Sequence, residues 1–279
     1  MAKRFEGKVA FVTGAARGQG RSHAVRFAEE GADIIAVDIC RQIDSVKYPL
    51  AQPHDLEETV RLVEKAGRRA VAEHVDVRDL ASLQSVVTSG VNELGRLDFV
   101  MANAGILAGV GDADPEIAAF DDGVDVLLKG VYYTVESALP VLIEQGTGGV
   151  VIITSSAVAH RSVLSPSFRT RNHGAAGYTA AKSGLIGLTH YYARTLAEKN
   201  IRVNAVLPTG VNTPMVTNEA VEPHWNTYPE VGAAVSNALP GVGVIESEDV
   251  TEAMVYLCAE SGRYVTGIAL PVDAGLLVQ

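Results

Sequence analysis

Short, nearly continuous apolar runs rich in β-branched residues alternate along this 279-residue chain with longer amphipathic stretches. The apolar runs predict strands over Val9–Thr13, Asp33–Asp38, Ala70–Val75, Leu97–Ala102, Val150–Ser155, Arg202–Leu207 and Gly267–Val272. Helical periodicity predicts helices near residues 19–30, 55–67, 79–94, 115–145, 176–199 and 248–261. Strands that lack an apolar/polar alternation are buried on both faces, as in a parallel sheet covered by helices on both sides. Right-handed crossovers then give a single doubly wound, Rossmann-like α/β sheet. No linker-like composition or internal repeat divides residues 1–279, which read as one domain.

Two stretches break the rhythm. Residues 40–54, CRQIDSVKYPLAQPH, follow the second strand and exceed the about 2–6 residues of an ordinary βα turn. Residues 209–247 separate the sixth strand from the last long helix and carry Pro214, Pro223, Pro229 and Pro240. Both leave the carboxyl ends of strands, where ligands bind in open parallel sheets. The first is expected to be a cofactor flap and the second a substrate lid.

Composition narrows the class. A net charge of −10 disfavours nucleic acid and anionic membrane surfaces as partners. Cys40 and Cys258 supply neither a disulfide framework nor a metal-ligand cluster, so no metal is expected and a reducing compartment fits. The N-terminal MAKRFEGK lacks a signal-peptide core, and no apolar run approaches a membrane span. A cytoplasmic protein is expected.

The candidate chemistry lies in two places. The first strand ends at Gly14-Ala15-Ala16-Arg17-Gly18-Gln19-Gly20, and a helix follows at once. Glycines there permit a tight exit, close approach of backbone to a pyrophosphate and packing of helix on strand, while the helix N-terminus offers free N–H groups to phosphate. Asp38, with Ile39 behind it, closes the second strand 18 residues past Gly20. A carboxylate there accepts the adenosine-ribose hydroxyls and repels a 2′-phosphate, favouring NAD; Arg17 and Arg41 keep NADP open. Tyr178 and Lys182, four apart, share one face of a helix. The lysine ammonium, with the positive nicotinamide nearby, is expected to lower the tyrosine pKa, so that Tyr178 exchanges a proton with an alcohol or carbonyl.

These motifs, in this order along most of the chain, resemble the short-chain dehydrogenase/reductase family. TGAARGQG matches its T-G-x-x-x-G-x-G, and YTAAK matches its Y-x-x-x-K. The resemblance implies that Ser156, Tyr178 and Lys182 are catalytic and that Asp76 and Val77 contact adenine. It also assigns Asn103, Ala104 and Gly105 to the cofactor site, and the segment holding Pro208, Val211 and Thr213 to the nicotinamide carboxamide. Within the family, ARGQGRSHAVRFAEEGADIIAVDIC and the insertion after it are similar to the carveol-dehydrogenase-like, mycofactocin-associated members. That likeness implies a nicotinamide held without exchange and electrons passed to an external redox cofactor, mycofactocin.

The sequence departs from the family pattern twice. Leu127 stands where the resemblance implies a proton-relaying asparagine, so that relay is missing, rerouted or replaced. Ser156 and Tyr178 are 22 residues apart, longer than the family's usual spacing, and the extra segment brings Arg169, Arg171 and His173 beside the expected site. Ser155 is the alternative serine. The leading expectation is an NAD-dependent dehydrogenase or ketoreductase acting on a small apolar, terpenoid-like secondary alcohol or ketone. The rivals are sugar-nucleotide epimerisation and a non-catalytic dinucleotide-binding sensor or scaffold. The helix over 115–145 is apolar on more than one face, through Val124, Val126, Leu127, Leu128, Val131, Tyr132, Val135, Leu139, Leu142 and Ile143, and the resemblance implies that this helix pairs across a two-fold axis, so a homotetramer or at least a dimer is expected.

Overall fold

The computed structural model describes residues 3–108, 116–220, 223 and 226–279. Seven parallel strands form one sheet in the order β3-β2-β1-β4-β5-β6-β7. They are β1 (Val9–Thr13), β2 (Asp33–Asp38), β3 (Ala70–His74), β4 (Phe99–Ala102), β5 (Gly149–Thr154), β6 (Ile201–Pro208) and β7 (Ala269–Val272). Every expected strand is present; β1 and β2 keep the expected bounds and the ends of the others move by one or two residues. The central strand β1, VAFVT, is buried throughout, the cause of its unbroken apolar run. Strand order reverses between β1 and β4, so the carboxyl ends of these two strands open the crevice in which such sheets bind ligands.

Helices cover both faces. On one side α1 (Gly18–Glu29), α2 (Pro53–Lys65) and α8 (Ser247–Cys258) enclose a core containing Phe27, Val63, Met101 and Met254. On the other, α3 (Leu80–Leu94), α4 (Ala118–Val124), α5 (Gly130–Gln145) and α6 (His173–Thr195) enclose Val86, Val100, Val135, Ile153 and Leu185. Asp79 caps α3 by accepting from Ser82 N, and Gly95 ends it in a left-handed conformation. The helix expected over 115–145 begins at Ala118; its first expected residue lies outside the described residues. A π turn over Asp125–Lys129 joins α4 to α5, inserting an extra residue into the helical repeat around Leu127.

The continuous Ala118–Gln145 stretch is long and apolar enough in composition to cross a membrane, which apolar-run counting did not anticipate. It packs against α3 and α6 as a core helix. Its apolarity mostly serves this chain's own interior: Val126, Leu127, Val131, Val135, Leu139 and Leu142 are buried, whereas Tyr132 and Ile143 are about two-fifths exposed at 40% and 41%.

The two irregular stretches differ. Residues 39–52 form a strap, and α2 starts at Pro53, two residues earlier than expected, where Gln52 and Asp55 cap it reciprocally. Ile43, Val46, Tyr48 and Leu50 of the strap belong to the core beneath α3 and α5. The lid leaves β6 and returns to α8 through a stem in which Asn212 N donates to Ile245 O and Ile245 N to Gly210 O. It carries a short helix, α7 (Pro229–Ala234). Residues 221–222 and 224–225 of the expected lid lie outside the described residues.

Candidate active site

The ends of β1 and β4 are stitched together. Thr13 Oγ1 accepts from Asn103 N at 3.1 Å and Ala104 N at 3.2 Å, and Asn103 Nδ2 donates to Thr13 O at 3.1 Å. Behind them His23 is fully buried, its Nδ1 2.7 Å from Thr251 Oγ1. Thr251 donates its own proton to Ser247 O, so His23 is the donor to Thr251. Burial, only partly opposed by Asn103, lowers the His23 pKa to about 3, and the ring stays neutral at working pH.

Above this base the glycine loop turns into α1. A Cβ at Gly20 would collide with the Gly14 carbonyl oxygen, so the helix can seat this close to the strand only with glycine there. Arg17, at the N-cap, makes no side-chain cap, leaving the first N–H groups of α1 facing the cleft. Its guanidinium instead reaches Pro49 O of the strap. Gln19 Oε1 is buried without a hydrogen-bond partner among the described residues. A glycine cradle, open helix N–H groups and an orphaned buried acceptor together fit a dinucleotide.

Asp38 spends one oxygen on Ala16 N and the other on Cys40 N, each at 3.1 Å. Burial raises its pKa against these two N–H groups. The arginines that kept NADP open are engaged elsewhere: Arg17 on the strap, and Arg41 on Asp76 at 3.1 Å. Asp76 also takes a forked contact from Arg78. Burial pushes the Asp76 carboxyl up, but the Arg78 hydrogen bonds outweigh it and hold the group below the ordinary range. Arg78 continues to Asp122 of α4.

The catalytic set projects from β5 and α6. Asn172 caps α6 by accepting from Ala175 N. Gly177 lets α6 settle onto α4, since a Cβ there would stand 2.7 Å from Phe120 O. This contact fixes the turn that carries Tyr178. Lys182 Nζ donates to Thr154 O at 2.7 Å and lies 5.6 Å from the centre of the Tyr178 ring. Ser155 Oγ donates to Lys182 O at 2.8 Å and is thereby committed to the scaffold. Ser156 Oγ accepts from Val158 N at 3.2 Å, lines the cleft with Tyr178 and opposes the rise of the phenol's pKa.

Burial lowers Lys182 to about 7, and burial also raises Tyr178 despite the opposing Ser156 hydroxyl. The protein's own groups therefore keep Tyr178 a phenol, a proton donor, because a partly neutralised lysine is a weak support for phenolate. Leu127, in the π turn, is 1% exposed and packs against Gly105 in the cleft wall. It puts an apolar surface where a relaying side chain was implied.

One cleft collects Gly14, Arg17, Gly18, Gln19, Gly20, Asp38, Ile39, Asp76, Val77, Asn103, Ala104, Gly105, Ser156, Tyr178, Lys182, Pro208, Val211 and Thr213. Arg41, Arg169, Arg171 and His173 are not among the lining residues. Arg169, expected as a cation beside the site, pairs with Glu230 of α7 at 3.2 Å because the inserted segment packs on the lid. The sequence reading missed Ile43, Tyr48, Leu50 and Ala51 of the strap, Thr154, Ile106 and the lid's Pro214, Met215 and Val216. The apolar Val46-Lys47-Tyr48-Pro49-Leu50 inside a polar loop was the available signal for the strap.

Comparison with known proteins agrees. The family model described as enoyl-(acyl carrier protein) reductase matches residues 14–277. An uncharacterized oxidoreductase of Mycobacterium tuberculosis is 50% identical, covering 98% of this chain and 97% of its own. The (-)-trans-carveol dehydrogenase of Rhodococcus erythropolis is 42% identical over 98% of both chains. Among solved structures, carveol dehydrogenase from Mycobacterium avium in complex with NAD superposes with a TM-score of 0.90 at 43% identity, covering 99% of this chain and 100% of that one.

Proposed function

The chain belongs to the short-chain dehydrogenase/reductase family and is an NAD-dependent alcohol/ketone oxidoreductase, and from that premise we propose that Tyr178 is its acid/base and a small, apolar, terpenoid-like secondary alcohol or ketone its substrate. The observation that carries the acid/base assignment is the convergence of Ser156, Tyr178 and Lys182 in one cleft, with Ser156 opposing the rise of the phenol's pKa. Hydride transfer is the chemistry that a bound nicotinamide supplies. The protein's part is the proton: Tyr178 donates it to a carbonyl oxygen or takes it from an alcohol. Ser156 hydrogen-bonds the same oxygen and stabilises its developing charge. Lys182, anchored by Thr154 O, would help to hold the dinucleotide in the same cleft as the phenol.

The apolar substrate is supported by Ile106, Val126, Leu127, Met215 and Val216 in the cleft wall, and by the likeness to carveol dehydrogenases. The strap, tied to the glycine loop through Arg17 and to α4 through Ser45 and Asp122, favours slow release of NAD. Electrons would then leave to an external redox carrier such as mycofactocin rather than with free NADH. We further place the enzyme in the cytoplasm as a homotetramer, its subunits meeting through the exposed aromatic and aliphatic side chains of α5 and α6, with Tyr191 58% exposed. A mass near 29.4 kDa by light scattering would count against that assembly.

Tyr178→Phe tests the central assignment. It keeps the ring and removes the proton path, so kcat should fall by about 10²–10⁴-fold while NADH binding is retained. A loss of less than tenfold would assign the proton to another group.

A further inference from the structure

Tyr48 is a large side chain in a loop, yet only 1% exposed. It lines the same cleft as Tyr178 and the glycine loop. Its phenol oxygen accepts from Leu107 N at 3.1 Å, joining the strap to the segment that follows Asn103-Ala104-Gly105. Burial keeps the phenol protonated, with a pKa pushed up to about 12. Its neighbour Pro49 accepts from Arg17 of the glycine loop, so the strap around Tyr48 is tied both to that loop and to the segment beyond β4.

A phenol both accepts and donates. Leu107 uses the acceptor side; among the described residues no group accepts the Tyr48 proton. A buried donor without an acceptor is rare in native proteins. Here it lines a cleft in which the dinucleotide supplies oxygens along the whole stretch between its two bases.

We propose that Tyr48 is a cofactor-binding residue whose hydroxyl donates to an oxygen of the dinucleotide between the adenosine ribose and the nicotinamide. One hydroxyl group thereby joins three things. It receives the Leu107 N–H, it holds the strap closed and it recognises the part of the ligand under the strap. This assignment rests on the reading of the cleft as an NAD site, and it gives the strap a direct contact with the ligand rather than a covering role alone.

The test is a ligand series on the intact protein. AMP, ADP-ribose and NADH are titrated by calorimetry into wild type and Tyr48→Phe. AMP lacks the pyrophosphate and second ribose that ADP-ribose and NADH share. Tyr48→Phe should weaken ADP-ribose and NADH about tenfold, the equivalent of ~1.4 kcal/mol, and leave AMP within about twofold. An equal loss for all three ligands overturns the proposal in favour of a purely mechanical strap, and no loss overturns it outright. Failure of NADH to bind wild type from which retained dinucleotide has been removed would instead strike the NAD reading. A second measurement does not need the Tyr48→Phe variant to fold. Among the tyrosines, Tyr48 and Tyr178 line the cleft. In Tyr178→Phe protein labelled with ¹³Cζ-tyrosine, one resonance should therefore move with ADP-ribose and stay with AMP. If none moves, the hydroxyl does not touch the ligand.

Discussion

The strap and the lid leave the same end of the sheet and line the same cleft, yet they are built on different physics. The strap contributes Ile43, Val46, Tyr48 and Leu50 to the main core and is cross-tied by side chains: Gln42 Nε2 to Val46 O, Ser45 to Asp122, and Arg17 to Pro49 O. The lid, among its described residues, buries Val231 in its short helix and Val211 and Ile245 in its stem, while Leu239 and Val244 remain exposed. Opening the strap unpacks the domain; opening the lid breaks surface contacts. A wall that must be unpacked suits a cofactor retained through many turnovers. A wall held by weak contacts suits substrates that enter and leave each time.

Stability measurements give the sharpest separation of the two. Ile43→Ala removes a buried side chain from the main core and should cost about 2–4 kcal/mol, read as a lower midpoint in urea unfolding. Leu239→Ala, in the exposed part of the lid, should stay within about 0.5 kcal/mol. Equal losses would mean that the lid is as much a part of the core as the strap, and the contrast would disappear.

Proton linkage probes the cofactor side of the cleft next. Burial depresses Lys182 to about 7, so its ammonium, present below that pH, is lost as pH rises through it. The phosphates of NADH stabilise the ammonium and raise its pKa. Binding near pH 8 should therefore take up a fraction of a proton, approaching one, and binding near pH 5.5 should take up almost none. Calorimetry in buffers of different ionisation enthalpy reads this directly, and Lys182→Met should abolish it. Uptake that persists in Lys182→Met would belong to another group.

Which features were legible in the sequence follows from how local their causes are. The strands are read from runs such as Val9–Thr13 because burial on both faces demands apolar residues at every position. The glycine loop and Tyr178–Lys182 are read because each motif acts within one turn of chain, and the sheet brings them together without further instruction. All of the proposed site residues therefore line the one cleft. Tyr48 was not legible as a site residue: its partner, Leu107, is 59 residues away, and nothing in either neighbourhood specifies the pairing. The π turn at Asp125–Lys129 was equally hidden, because helical periodicity over 115–145 looks the same with one extra residue accommodated. The effect of burial on Tyr178 and Lys182 was not legible either, because spacing gives proximity and says nothing of burial.

The smallest effect belongs to the contact that joins the inserted segment to the lid. Arg169 donates to Thr227 O at 3.2 Å, pairs with Glu230 and lies over the Tyr228 ring at 5.4 Å. Its side chain is 65% exposed, so the ion pair is screened and contributes about 0–1 kcal/mol, with a similar amount from the aromatic face. Spread over lid closure, Arg169→Ala should raise KM for the alcohol up to about fivefold at low salt, the equivalent of ~1 kcal/mol. The gap should narrow as salt screens the wild-type pair. NADH affinity should not change, because the strap and not this contact closes the cofactor side. If Arg169→Ala weakens NADH and substrate together, strap and lid move as one body, and the two regions must be treated as a single closure.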